Sequence, residues 1–178
     1  MANTDAPRGL RPISGPGGGS PLLIVRPAGT TTSIFRGDVV ALATNGRVHR
    51  VATTTGSARI VGVAANFVLA TSGVGATTAQ DCWIYADPDQ LFEIQDDGAS
   101  ATPAESSIGA TYPLVIGAGN STTGKSIFEL DISAPGTTSL DPLLAVGFKE
   151  GPTYEIGKYA TFLVKLNRHL FKSGSAGI

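Results

Sequence analysis

Short runs of apolar residues, many of them alternating with polar ones and ended by turn residues, set the strongest limit on how this 178-residue chain can fold. A period of two places successive side chains on opposite faces of a strand. The alternation is clearest at Phe92–Gln95 and Phe162–Asn167. The predicted strands are Leu22–Arg26, Ile34–Leu42, Val48–Val51, Ile60–Leu69, Cys82–Ala86, Leu91–Gln95, Tyr112–Gly117, Ile127–Ile132, Leu143–Phe148 and Ala160–Leu170.

Turn residues separate these runs and leave little room for helices. The chain has 23 Gly, 11 Pro and only 15% charged residues, which disfavours surface helices rich in Lys and Glu. One short helix is predicted to begin at a capping box, Thr102–Glu105, where the Thr102 hydroxyl can accept from the backbone N–H of Glu105, and Gly109 would end it within two turns. The sequence therefore predicts an all-β, mainly antiparallel fold, a compact barrel or sandwich with at most one short helix.

The first 20 residues differ in composition from the rest of the chain. Three prolines and the run Gly15–Ser20 predict an extended N-terminal arm outside the core, whereas residues 21–178 are predicted to form a single β-rich domain. In this proline-stiffened segment, Arg8 and Arg11 stand beside Leu10 and Ile13. This pattern is typical of an arm that lies on a binding partner, and a disordered tail is the alternative.

Charge and cysteine content argue against several classes of function. The 13 Lys and Arg residues against 14 Asp and Glu give a net charge of -1, too little to attract nucleic acid or an anionic membrane. The single cysteine, Cys82, cannot form an intrachain disulfide, which fits folding in a reducing cytoplasm. Its strand face, shared with Ile84, predicts a buried thiol. The uncharged stretch Ile60–Gln80 is too polar to cross a bilayer, so neither a membrane nor a nucleic-acid partner is predicted.

The segment Gly119–Ser126, GNSTTGKS, has the spacing of a nucleotide-binding P-loop. A P-loop binds phosphates because it leads into the amino end of a helix, where backbone N–H groups are free. After Lys125, however, apolar and polar residues alternate through Ile132, and a weaker helical pattern is the alternative. The chain also lacks the alternation of strands and helices that a nucleotide hydrolase needs. We therefore predict that GNSTTGKS is the turn of a hairpin.

Metal and catalytic sites are not indicated either. Zinc requires clustered ligands, and the aspartates do not follow the calcium-loop pattern, so they are interpreted as turn formers. The residues considered were His49, His169, Cys82, Asp87, Asp89, Asp96 and Asp97. No Gly-x-Ser-x-Gly elbow lies between a strand and a helix, while a carboxylate pair such as Glu93 with Asp131 stays open. The sequence predicts a non-enzymatic protein without a cofactor.

Three segments resemble the head decoration, or cementing, proteins of tailed bacteriophages. They are MANTDAPRGLRPI at residues 1–13, YADPDQLFEIQDD at Tyr85–Asp97 and FLVKLNRHLF at Phe162–Phe171. That family also has a Gly-basic-Ser step before a strand similar to Glu-Leu-Asp, which resembles Gly124–Ser126 and Glu129–Asp131 here. Under this resemblance, the apparent P-loop would be a family turn.

The resemblance implies a β-barrel or β-tulip-like body, commonly a homotrimer, on the outer capsid surface of the virion. Such a protein is assembled in the host cytoplasm and clamps neighbouring major capsid protein subunits against the pressure of packaged DNA. The arm residues Arg8, Leu10, Arg11 and Ile13 would then contact the capsid, the arginines through carboxylates and the apolar pair through shallow pockets.

A second hypothesis belongs to a different class. A virion-surface adhesin, or fibre-like module, would bind host glycans through an exposed Trp83 or Tyr85 and nearby acidic residues. The sequence favours a different place for Trp83, in a sheet core or a trimer interface.

Overall fold

The computed structural model describes residues 3–13, 23–25, 32–52, 59–70, 80–99, 102–136, 139–149, 151 and 154–172. These residues form an all-β fold, nearly all antiparallel, in which one sheet curls into a half-barrel. The predicted fold class is therefore confirmed. The strands are β1 (Arg11–Pro12), β2 (Leu23–Val25), β3 (Val39–Leu42), β4 (Val48–Arg50), β5 (Ile60–Ala64), β6 (Cys82–Tyr85), β7 (Phe92–Gln95), β8 (Thr111–Tyr112), β9 (Leu114–Val115), β10 (Glu129–Leu130), β11 (Leu143–Phe148) and β12 (Thr161–Leu166).

The described strands form two five-stranded sheets and one hairpin. The first sheet has the order β1-β7-β12-β11-β8, and the second has the order β2-β6-β5-β3-β4. Strands β9 and β10 pair antiparallel as a separate hairpin. The first sheet joins strands that are far apart in sequence, since β7 lies between β1 and β12.

The main core lies between the first sheet, the hairpin and one face of the second sheet. In β12 the buried side chains of Phe162, Val164 and Leu166 alternate with partly exposed neighbours, so this strand presents one apolar face. Phe128 and Leu130 enter the same cluster from the hairpin and its approach. The alternating sequence pattern thus marks strands with one buried face.

The second sheet is buried on both faces around β3 and β5. Val39 belongs to the main core, whereas its neighbour Val40 belongs to a smaller cluster with Cys82 and Ile84 on the opposite face. Strands covered on both sides need apolar side chains at successive positions, which explains the continuous run in β3 and β5.

Strand β6 confirms one prediction and corrects another. Cys82 and Ile84 are both fully buried on the same face, as predicted. Trp83 points the other way and is 49% exposed, so it does not pack into a sheet core, while the other predicted place, a trimer interface, stays a prediction. The alternation that buries Cys82 and Ile84 turns the intervening side chain outward.

The helical element is shorter than predicted. One 3-10 turn spans Glu105–Ser107, and Ala104 precedes it as the cap residue. The cap hydrogen bond that forms runs from the backbone N–H of Ala104 to the Ser107 hydroxyl, at 3.2 Å, in place of the predicted bond from Glu105 N–H to the Thr102 hydroxyl. The predicted cap was therefore wrong, although Gly109, with φ of 88°, does follow the turn.

The N-terminal segment is part of the body as far as the structure describes it. β1 adds to the edge of the first sheet, and Leu10 is 1% exposed within the main core. The prediction that the leader lies outside the core is therefore wrong for Leu10. Residues 14–20, which complete the predicted arm, lie outside the described residues.

Two glycines allow this close docking of the leader. Gly9 and Gly37 both have positive φ angles, of 66° and 96°, and Leu10 N–H donates to the Gly37 carbonyl at 2.9 Å. A Cβ on Gly9 would lie 2.5 Å from the Gly37 oxygen and 2.5 Å from Ser126 Cβ. The leader thus lies against the body where only a residue without a side chain fits.

Candidate functional site

The segment GNSTTGKS forms the turn of a hairpin. It follows β9 and precedes β10, and these strands pair antiparallel with Leu114 opposite Leu130. From Ser126 to Phe128 the chain has no helical turn before β10 begins at Glu129. The predicted hairpin is confirmed, although the strand is shorter than the predicted Ile127–Ile132.

Several backbone amides of this turn are already used within the protein. The Asn120 side-chain oxygen accepts hydrogen bonds from the N–H groups of Thr122 and Thr123, each at 3.0 Å. Gly124 N–H donates to the Asn120 carbonyl at 2.8 Å. Because a phosphate cradle depends on free amides that point at the ligand, this turn does not have P-loop geometry.

A parallel bridge joins the end of the turn to the segment before β3. Arg36 N–H donates to the Gly124 carbonyl, and Ser126 N–H donates to the Arg36 carbonyl, both at 2.9 Å. On the outer side of this junction the side chains of Arg36 and Lys125 are exposed. Asp38 and Ser126 are fully buried on its inner side. We call Arg36–Asp38 with Gly124–Ser126 the junction.

On the inner side, Asp38 organises a buried polar network. Its Oδ1 accepts from Ser126 Oγ at 2.6 Å, and its Oδ2 accepts from Arg50 Nε at 2.7 Å and from Phe35 N–H at 2.8 Å. Ser126 Oγ accepts in turn from Phe128 N–H at 3.1 Å. The Asp38 carboxylate therefore ties β4 and the hairpin to the approach to β3.

Arg50 completes this network. Its Nη2 donates to the Gly117 carbonyl, and its guanidinium carbon lies 4.4 Å from the centre of the Phe128 ring. Burial raises the pKa of Asp38, while the hydrogen bonds from Ser126 and Phe35 and the charge of Arg50 act in the opposite direction. A buried carboxylate with a guanidinium and two neutral donors is a structural site, since all these groups are already paired.

On the outer side, a groove carries four cationic side chains, those of Arg8, Arg11, Arg36 and Lys125. Tyr85 and Pro12 also contribute to its lining, and its volume is about 380 Å³. We call it the cationic groove. In the part of the chain that the structure describes, no carboxylate lines this groove and no acidic side chain forms an ion pair with Arg8, Arg36 or Lys125.

Arg11 is the groove cation that has a partner. Its Nη1 lies 3.1 Å from Glu93 Oε1, and Lys149 Nζ lies 2.5 Å from the other oxygen of that carboxylate. Lys149 also lies over the Tyr154 ring, 4.5 Å from its centre. The half-exposed Arg11 is therefore positioned against the first sheet by a carboxylate that two cations share.

The four predicted arm residues have different environments. Arg8 is exposed, whereas Arg11 is held by Glu93. Ile13 is partly buried and fixed by its backbone, whose N–H donates to the Leu91 carbonyl at 3.0 Å. Leu10 is enclosed in the chain's own core, so in this conformation it cannot fill a pocket on a capsid subunit, which corrects that prediction.

Sequence reasoning missed Arg36, Lys125 and Asp38 as parts of one junction. Asp38 carries the signal that could have been used, because a carboxylate within an otherwise apolar run requires a buried partner. The parallel bridge between Arg36 and Lys125 joins segments far apart in the chain, and no sequence period announces such a contact.

The candidate carboxylates are held in separate environments. Glu93 faces Arg11 and Lys149, whereas Asp131 accepts the Ser133 hydroxyl at 2.6 Å. Asp96 is buried and accepts hydrogen bonds from the backbone N–H groups of Gly98 and Ala160, at 2.6 and 2.7 Å.

Glu129 is the most perturbed of the partly buried acids. Burial, and after it the negative charges of Asp5, Asp97 and Asp96 in that order, raise its pKa from 4.5 to about 7. Within the described ranges, no three His, Cys, Asp or Glu residues are grouped so that they could hold a metal ion. Nor does any helix in those ranges have the length and apolarity needed to span a membrane.

Comparisons with known proteins add no identification. No protein-family model, curated protein or solved structure matches this chain. The likeness to decoration proteins rests on the three sequence segments, and the site itself is described by its own geometry. That geometry consists of a paired, buried network on one side of the junction and, on the other, a groove with four cationic side chains, of which Arg11 is paired with Glu93.

Proposed function

We propose that this protein is a non-enzymatic capsid decoration protein. In this proposal it binds the outer surface of a phage head as a homotrimer and clamps neighbouring major capsid protein subunits. The observation that carries the proposal is the cationic groove, whose exposed cations lie on an ordered β body and whose lining, among the described residues, contains no carboxylate. The three resembling segments supply the class of partner.

A fixed leader suits a clamp better than a loose tail. β1 pairs with β7, and Leu10 is buried, so Arg8 and Arg11 project from a backbone that is already ordered. Ordering a flexible segment upon binding costs free energy, and a pre-ordered segment avoids much of that cost. The docked leader therefore favours a binding role in which the cations are presented before the partner arrives.

A trimer would multiply weak contacts. If each subunit binds a separate capsid chain, the linked sites increase the overall affinity by about 10² to 10⁴ without any new contact. Exposed charges suit this role, because each gives a modest and reversible contribution.

Binding to bare expanded heads tests the proposal. We expect the wild-type protein to coat such heads and to raise the temperature at which packaged DNA is released. The matched variants are Arg8→Ala, in the groove, and Arg59→Ala, an exposed arginine outside its lining. Reduced occupancy for the first alone supports the proposal, whereas heads that remain uncoated by the wild-type protein, or that gain no heat resistance, contradict it.

The adhesin alternative keeps one specific observation in its favour. Trp83 is 49% exposed on β6, and an exposed indole is a common platform for sugar rings. Copy number per particle separates the two functions, since a decoration protein is present in large numbers and an adhesin in few. A glycan array probed with wild-type and Trp83→Ala protein tests the alternative directly; signals lost in the variant would favour it.

A further inference from the structure

We propose that the cationic groove binds an acidic peptide segment, that is, an extended stretch of chain with several Asp or Glu side chains. This inference rests on the proposed function for the identity of the partner, a capsid subunit, but the chemistry of the ligand is argued from the groove itself. It goes beyond the proposed function because it names the recognised chemistry and assigns it to Arg36 and Lys125, which the predicted arm does not contain.

Positive charge is concentrated at the cationic groove. The chain carries a net charge of -1, yet four of its cations surround one groove that no carboxylate of the described ranges lines. The like charges repel one another, because charges closer than the screening distance, about 8 Å at physiological salt, still interact. A ligand with several negative charges relieves this repulsion, so the groove selects for polyanions.

The groups that the groove offers indicate which kind of anion it binds. Compact phosphate sites use converging backbone amides or a helix amino end. Here the amides of Thr122, Thr123 and Gly124 are bonded within the turn, and Ser126 N–H is bonded to Arg36. Exposed guanidinium and ammonium groups remain, and these pair with separate carboxylates, a guanidinium often in a bidentate manner.

Contacts within the protein hold several of these cations in position. Arg36 and Lys125 are brought together by the backbone bridge, and Arg11 is held by Glu93. The Tyr85 ring packs edge-on against Phe92, with centres 6.5 Å apart. Because the groove is organised before a ligand binds, little ordering is required of the protein.

The edge of the first sheet at β1 is poorly suited to pairing with another strand. Pro12 ends β1 at the edge of the first sheet, and Leu10 N–H, on the side away from β7, is used by Gly37. A strand added at this edge could not accept a hydrogen bond from Pro12, which has no N–H, or from Leu10, whose N–H already donates to Gly37. Recognition therefore relies on side-chain charge rather than on extension of the sheet.

Fluorescence anisotropy with labelled decaglutamate tests the inference on the intact protein. The unlabelled competitors are decaglutamate, decalysine, tripolyphosphate and an oligothymidylate of the same length. We expect decaglutamate to bind, with a marked loss of affinity between about 50 mM and about 300 mM NaCl because exposed pairs are screened. Arg36→Ala/Lys125→Ala is expected to weaken binding by about tenfold or more, since charge-assisted contacts are lost.

The matched control is Arg59→Ala/Lys158→Ala, which removes the same number and sign of charges from exposed positions outside the groove. It is expected to stay within about twofold of wild type, as distant exposed charges are screened. Arg8→Ala is a second groove variant and avoids the junction altogether. Equal losses in groove and control variants, or unchanged binding in both groove variants, overturn the inference. Tighter binding of tripolyphosphate or oligothymidylate than of decaglutamate also overturns it, in favour of a phosphate ligand.

The two proposals fail in different ways. If the protein binds decaglutamate through the groove but does not coat heads, the decoration function is wrong and the acidic-peptide site stands. If it coats heads and the groove variants coat them equally well, the groove is not the capsid contact.

Discussion

The two sides of the junction contrast sharply, although the same two short segments form both. On the inner side, Asp38 and Ser126 are buried and every charge has a partner. On the outer side, Arg36 and Lys125 are exposed and face other cations. Neighbouring residues thus divide two tasks, since the inner ones stabilise the fold and the outer ones remain available for binding. The same alternation runs through GNSTTGKS, where the Lys125 side chain is exposed and the Ser126 side chain is buried.

Removal of the Asp38 carboxylate is expected to lower the free energy of unfolding more than any change on the outer side. Asp38→Ala leaves Arg50 buried without its carboxylate, and loss of one partner of a buried pair costs about 3–5 kcal/mol. Urea unfolding measures this change in the free energy of unfolding. The control is Asp81→Ala, at an exposed aspartate, which we expect to have little effect. A loss below about 1 kcal/mol for Asp38→Ala would show that the network is not structural.

Gly9 tests whether the leader is held against the inner side. Gly9→Ala places a Cβ 2.5 Å from the Gly37 oxygen, and strain together with overpacking predicts a loss of about 2–4 kcal/mol. Gly46→Ala is a matched control, because Gly46 also has positive φ, 74°, but has no atom within 4 Å of such a Cβ. We expect trypsin to cut after Arg8 faster in the Gly9 variant only. Equal stability losses in the two variants would mean that φ, not docking, sets the cost.

Ser126 and Lys125 give the sharpest paired test. Ser126→Ala leaves one oxygen of Asp38 without its donor and the Phe128 N–H without its acceptor, so about 1–3 kcal/mol should be lost. Ser126→Ala and Lys125→Ala are compared by urea unfolding in the same experiment. Should Lys125→Ala prove the more destabilising, the division between the two sides would be wrong.

Glu129 extends the comparison to a partly buried carboxylate that faces acids instead of a guanidinium. Its pKa rises from 4.5 in the unfolded chain to about 7 in the fold, because of burial and then Asp5, Asp97 and Asp96. The folded state therefore binds the proton more tightly, and the stability present at low pH is lost as pH rises through about 7. Allowing for solvent screening, wild type should be about 1–2 kcal/mol less stable at about pH 8 than at about pH 5 from this group.

Glu129→Gln removes that part of the pH dependence. Unfolding free energies of the variant and wild type, measured at both pH values, give the contribution by difference. Identical pH profiles would exclude a raised pKa at Glu129.

The smallest effect on stability belongs to the outer side. Lys125→Ala should change the free energy of unfolding by less than about 0.5 kcal/mol, as exposed substitutions usually do. The same variant should weaken the binding of decaglutamate, which anisotropy detects. A change in stability with unchanged binding would reverse the roles assigned to the two sides.

The sequence predicted the fold class and the strands with one buried face better than it predicted the site. Period-two alternation is local, so β11 matched its predicted bounds of Leu143–Phe148. The run Ile34–Leu42 was too long, because the chain turns at Gly37, where the leader lies against it. Propensity cannot show such a contact, since it depends on a residue far away in the sequence.

β1 illustrates the same limit. A two-residue strand that contains Pro12 has no apolar period, and only pairing with β7 defines it. The cationic groove was missed for this reason too. Arg8 and Arg11 were visible as a local cluster, whereas Arg36 and Lys125 join them only after the junction has formed.

The position of β7 between β1 and β12 has a consequence for the kinetics of folding. β7 can pair with β12 only when most of the chain is present, and Leu10 shares a core with Leu166. Contacts between such distant residues require large loops to close first, so folding is expected in about milliseconds to seconds rather than microseconds. The N-terminal residues, made first on the ribosome, must therefore wait for β7 before β1 has a strand to pair with, and the groove that they line is complete only when Lys125 has joined it.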